Sequence, residues 1–105
     1  MIEATARVPT ERAEAYLVRL CRHFAHKVPV EQGEGYGRVR FVCGEAQLAA
    51  SADRLDIRLV APDAAQLEQT RDVVESHLLR FAFREGELSC VWSEAGPARA
   101  DRGDD

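Results

Sequence analysis

The sequence contains no apolar run approaching the roughly 20 residues that cross a bilayer, so no membrane-spanning helix is expected. Its N-terminus, Met1-Ile2-Glu3-Ala4-Thr5, has neither a basic leader nor an apolar stretch ending in a small-residue cleavage site, and a cytoplasmic protein is expected. Cysteine is scarce. Cys21, Cys43 and Cys90 form no Cys-x-x-Cys pair, which excludes a disulfide framework and predicts free thiols. Positive charge is in deficit, 14 Lys and Arg against 18 Asp and Glu, and the net charge of −4 argues against a general nucleic-acid binder. Lysine itself occurs once, as Lys27; thirteen arginines beside sixteen alanines reflect coding bias more than phosphate recognition. There is no internal repeat, and Gly33, Gly35 and Gly37 do not form a phosphate loop because no helix follows them.

What is present is globular composition: 105 residues, 46% apolar and 30% charged, room for one domain with one core. Ile2, Ala4, Ala6 and Val8 alternate with Glu3, Thr5 and Arg7, the period of a strand with one buried face. Pro9-Thr10 offers an N-cap hydroxyl, and Ala13, Tyr16, Leu17, Leu20 and Phe24 recur at helical spacing, predicting a helix from about Glu11 to Lys27, before Pro29. The glycine-rich segment from Gln32 to Gly37 reads as a loop, a hinge or hairpin connection. Three short strands follow, marked by Val39, Phe41 and Cys43, by Ala46, Leu48 and Ala50, and by Leu55, Ile57 and Leu59. Asp63 and Gln66 have capping-box spacing ahead of a second helix carrying Leu67, Val74, Leu78 and Phe81. Leu88, Cys90 and Trp92 mark a last strand, and residues 94–105 read as a disordered tail outside a single domain of residues 1–93. The order β-α-β-β-β-α-β predicts an α+β fold, a two-layer α/β sandwich with both helices on one face of a mixed, mostly antiparallel sheet. The other face would carry polar residues such as Thr5, Arg7, Arg38, Arg40, Gln47, Asp56 and Arg58, with Val42, Val60 and Val91 offering a homodimer surface.

Reactive side chains concentrate in Cys21-Arg22-His23-Phe24-Ala25-His26-Lys27-Val28-Pro29. At about 100° per residue, with Leu20 as the centre of the buried stripe, Cys21 falls roughly 100° to one side and His23 roughly 60° to the other. A Cys21/His23 chelate is therefore not expected, whereas His23 and His26 share a flank close to Arg19. His77 lies at the edge of the second helix's stripe, with Arg80 and Arg84 on its side. Helices packed side by side would bring His23, His26 and His77 into one groove. Three readings stay open. The imidazoles are helix-margin residues, with His26 and Lys27 complementing the helix dipole; or the groove binds an anion through His and Arg; or the three histidines hold Zn or Fe with an open position, with Glu31 or Glu34 as a base. Neighbouring arginines disfavour a cation, so a binding protein is expected ahead of an enzyme. Cys43 and Cys90 read as buried structural thiols, and Cys21 as lying on the outer edge of its helix.

Tyr16-Leu17, the run from Leu20 to Val30, His77-Leu78, the run from Arg80 to Glu85, and Trp92 together resemble the bacterial family catalogued as domain of unknown function 2218, over roughly residues 3 to 93. The resemblance carries over His23, His26, Lys27 and His77 as family-type positions. It implies an accessory role in iron acquisition, beside a siderophore-interacting flavin reductase that would act in trans. A small anionic ligand or chelate, and neither nucleic acid nor membrane, is the partner expected.

Overall fold

The computed structural model describes residues 1–81, 90–93 and 96–97. Within them the chain runs β1 (Ile2–Pro9), α1 (Ala13–Ala25), β2 (Val30–Gly33), β3 (Tyr36–Arg40), β4 (Glu45–Ala50), β5 (Arg54–Ala61), α2 (Ala64–Phe81), β6 (Val91–Trp92) and β7 (Gly96–Pro97). The strands form one sheet in the order β2-β3-β4-β5-β1-β6, with β7 also pairing β1, and every described pairing is antiparallel. Both helices pack on the same face: α1 against β2 to β5, α2 against β5, β1 and β4. The two-layer α+β arrangement with the expected order is present, extended by the two short strands β2 and β7.

The period-two alternation in β1 and β5 sets the register. Ala4 lies opposite Leu59, Ala6 opposite Ile57 and Val8 opposite Leu55, and all six are buried under the helices. The intervening residues, including Thr5 opposite Arg58 and Arg7 opposite Asp56, point to the open face. Leu17, Leu20 and Leu78 complete the core from the helices; each is fully buried, a gain of about 1.5–3 kcal/mol per side chain before entropy is counted.

Three local expectations are corrected. Thr10 does not cap α1: its hydroxyl accepts the N–H of Arg12 at 3.0 Å, two residues on, and the helix begins at Ala13 without a side-chain cap. The glycine-rich segment is a β-hairpin in which Gln32, Gly33 and Gly37 belong to strands, leaving Glu34-Gly35 as the turn, with Gly35 in the left-handed region at φ 76°. Phe41 and Cys43 lie beyond β3, in a turn closed by the Phe41 N–H on the Gly44 carbonyl at 2.7 Å. Asp63 does cap α2, accepting the Gln66 N–H at 2.9 Å, although the Gln66 side chain returns to the Asp63 carboxylate instead of its backbone. The expected tail overlaps Gly96–Pro97, which pairs with Ile2 and Glu3 of β1; its other residues lie outside the described ones, as does Leu88 of the expected last strand.

Cys21 departs furthest from expectation. It is fully buried, as are Leu17 and Leu20, with Ala13, Tyr16 and Phe24 nearly so, which moves the centre of the stripe about 30° from Leu20 toward Cys21. The sheet admits the thiol there because β3 presents Gly37: a Cβ built on Gly37 would lie 2.5 Å from the Cys21 Sγ. Burial accordingly pushes the Cys21 thiol pKa up. Gly37→Ala should destabilise the protein by about 1–3 kcal/mol through overpacking, measured by urea unfolding. Adding Cys21→Ala should recover part of that loss; a strictly additive double variant would show that the two residues do not share this contact.

Candidate functional site

His23 on α1 and His77 on α2 meet between the helices, with ring centroids 4.7 Å apart. Moving the stripe toward Cys21 leaves His23 about 90° from its centre, at the margin facing α2. Both imidazoles are half-buried. The His77 Nδ1 lies 2.7 Å from the Val73 carbonyl one turn back, which places a proton on Nδ1. Aromatic rings wall the pair. Phe24 stands edge-on to His23 at 5.2 Å and to His77 at 5.1 Å, and Phe81 edge-on to His23 at 5.7 Å, while Phe41 packs on Phe24 at 5.0 Å. The Arg19 guanidinium lies over the Phe81 ring at 4.7 Å, which draws a second cation to the edge of the cleft.

The groups that shift the His23 pKa are all basic. Burial, and then His77, Lys27, Arg80 and His26, hold its imidazole below the ordinary value of 6.5. No carboxylate is among those causes. The contact between the two imidazoles is thus bordered by basic side chains in a chain of net charge −4.

The structure gathers the sequence-predicted residues unevenly. His23 and His77 are in contact, Arg19 and Arg80 flank them, and His26 and Lys27 are exposed at the end of α1, where His26 is the C-cap residue. Arg84 lies outside the described residues. Among the described residues no three His, Cys, Asp or Glu side chains are placed to hold a metal ion, and the His23, His26 and His77 set, one of the three readings left open for Zn or Fe, is not such a group. Glu31 is not positioned as a base for it either: paired opposite Arg38, it faces the open side of the sheet and bridges Arg38 and Arg40, each at 3.7 Å.

Cys43 and Cys90 are half-buried and not buried as expected, though their surroundings are structural. The Thr70 hydroxyl lies 2.8 Å from the Gln66 carbonyl and 3.2 Å from the Cys43 Sγ. Having one proton, it donates to the carbonyl and accepts from the thiol. Burial first, and then Glu75, push the Cys90 thiol up to about 11, which leaves it protonated and inert at neutral pH.

The opposite face of the sheet, expected to be polar with a homodimer surface, carries a further feature. A ladder of polar side chains crosses it: Arg58 donates to Glu3 at 2.9 Å and to Gln47 at 3.1 Å, Gln47 donates to Glu45 at 2.9 Å, and Arg38 lies 3.3 Å from Glu45. The arginines of one parity on β1, β3 and β5 were the available signal. Their convergence required the strand order β3-β4-β5-β1, which no spacing discloses.

A family profile described as an uncharacterized protein conserved in bacteria (DUF2218) matches residues 5–93. The chain belongs to the DUF2218 family. No curated protein matches it. It is similar to PA4090 from Pseudomonas aeruginosa, whose NMR structure shares 35% identity and superposes with a TM-score of 0.76, covering 89% of this chain and 96% of that one. This DUF2218 chain therefore has the fold of a solved relative. No described helix is long and apolar enough to cross a membrane.

A lowered imidazole pKa has a signed consequence. Between the lowered value and the ordinary 6.5, the unfolded chain binds more protons at His23 than the folded one, so stability is full above that window and falls as pH drops through it. NMR titration should place His23 below the ordinary imidazole range and move it upward in His77→Ala. An unshifted His23 would mean that burial and the cationic neighbours do not act on it as the structure shows.

Proposed function

We propose that this protein is a non-catalytic binding or accessory domain whose His23/His77 cleft, flanked by Arg19, Arg80, His26 and Lys27, receives a small anion. One observation carries the reading: His23 sits half-buried against His77, and beyond burial the side chains that lower its pKa, His77, Lys27, Arg80 and His26, are all basic. An anion supplies the missing counter-charge. It offsets the repulsion among the cations and accepts hydrogen bonds from the imidazolium and the guanidinium groups. The phenylalanine walls lower the local dielectric and strengthen those bonds. A ferric siderophore chelate is the anion suggested by the family association, with a siderophore-interacting flavin reductase as the partner in trans.

Binding of this kind is coupled to protons. The bound anion raises the His23 pKa from its lowered value, so affinity is highest below that value and weakens as pH rises through the raised one. Isothermal titration with citrate and with ferric citrate tests the reading and separates the carboxylate from the metal. The wild type should bind at least one of them. His23→Ala and His77→Ala should each weaken binding about tenfold or more, the loss expected for one charge-assisted hydrogen bond. Equal, negligible binding by all three proteins would remove the proposal.

A further inference from the structure

On the side of the sheet away from the histidines lies a depression of about 700 Å³, lined by Arg7, Arg38, Arg54 and Arg58 and by a single carboxylate, Asp56. Four guanidinium groups to one carboxylate reverses the net charge of the chain, which is −4. Three of the four are already engaged. Arg38 lies beside Glu45 and Glu31, Arg54 donates to Asp56 at 3.1 Å, and Arg58 pairs with Glu3 at 2.7 Å. Among the described residues, Arg7 alone of the four has no carboxylate partner; its cross-strand neighbour Asp56 is held by Arg54.

The register also sets Arg7 in a row that ends in exposed apolar side chains. Tyr36, Ala49, Asp56, Arg7 and Val91 form one row across β3, β4, β5, β1 and β6. At its ends Tyr36 is 48% exposed and Val91 64% exposed. From Arg7 to Tyr36 the row spans three interstrand spacings, about 14 Å. That length suits an elongated organic anion whose head group meets Arg7 and whose body lies along the row.

We propose that the open face of the sheet is a second binding site, taking an amphipathic carboxylate: an anionic head on Arg7 and an apolar body of medium length toward Tyr36. The site is independent of the His23/His77 cleft. The carboxylate accepts from the unpaired guanidinium, while the neighbouring ion pairs hold the other arginines out of competition for it. Inorganic phosphate and acetate, which lack the apolar body, gain the charge term alone.

The test is a titration of the folded chain with decanoate, kept below its micelle concentration, read by amide chemical shifts. Saturable shifts should map to β1, β3 and β5 around Arg7, Tyr36 and Asp56, with acetate and phosphate binding at least tenfold more weakly. Arg7→Gln should weaken decanoate about tenfold, Arg7→Lys less, and His23→Ala not at all, which separates this site from the cleft. Because Arg7 is exposed, these variants keep the fold. The proposal is overturned if shifts map to the helices instead or if Arg7→Gln binds decanoate unchanged. It is equally overturned if the same amides move with protein concentration alone, which would give the face to a second copy of the chain.

Discussion

Pairing of β1 with β5 over eight residues is the constraint on which the rest of the molecule depends. It places the first strand inside the sheet, with β5 on one side and β6 and β7 on the other. Both helices then return to one face, and His23 meets His77. The same register fixes the opposite face, because a strand has a period of two. A slip of one residue would bury Arg7 and Thr5 and expose Ala4, Ala6 and Val8, at a desolvation cost no core of this size could offset. The alternation of apolar and polar residues therefore specifies the core and both candidate sites at once.

Electrostatics divides the two faces by a shared logic. Carboxylates are in excess overall, yet they neutralise only part of the sheet: Glu3, Glu31 and Glu45 draw Arg58, Arg38 and Arg40 into the ladder and leave Arg7 outside it. On the helical face no carboxylate reaches the histidine cleft as a cause of the His23 shift, and cations gather instead at the ends of α1 and α2. Exposed ion pairs of the ladder contribute little stability each, about 0–1 kcal/mol. Their consequence is selective, since they decide which guanidinium groups remain available to a ligand.

Most of this architecture was legible in the sequence, and its failures have definite causes. Alternation located β1, β4 and β5, helical spacing located both helices, and Asp63 announced α2. Centring the stripe on Leu20 misplaces Cys21, because the space for the thiol comes from Gly37, on another element. Reading the glycine-rich segment as a loop missed β2, since glycine is a poor strand former and only pairing with β3 recruits Gly33 and Gly37. The two helix margins make a meeting of His23 with His77 conditional on side-by-side packing, which the structure shows, whereas His26 stays exposed because the helix ends at Ala25 and turns the chain away. Arg7 could not be distinguished from the other arginines, because a missing partner is a property of the folded sheet.

The contact between His23 and His77 joins the register, the helix packing and the cleft, and it can be observed directly. With only three histidines in the chain, their imidazole protons can be assigned by single substitution, and a NOESY spectrum then reports their proximity. Rings with centroids 4.7 Å apart should give a cross-peak between His23 and His77, joined by cross-peaks from both to Phe24. A folded protein whose His23 and His77 ring protons show no cross-peak would contradict the packing of α1 beside α2, and with it the cleft.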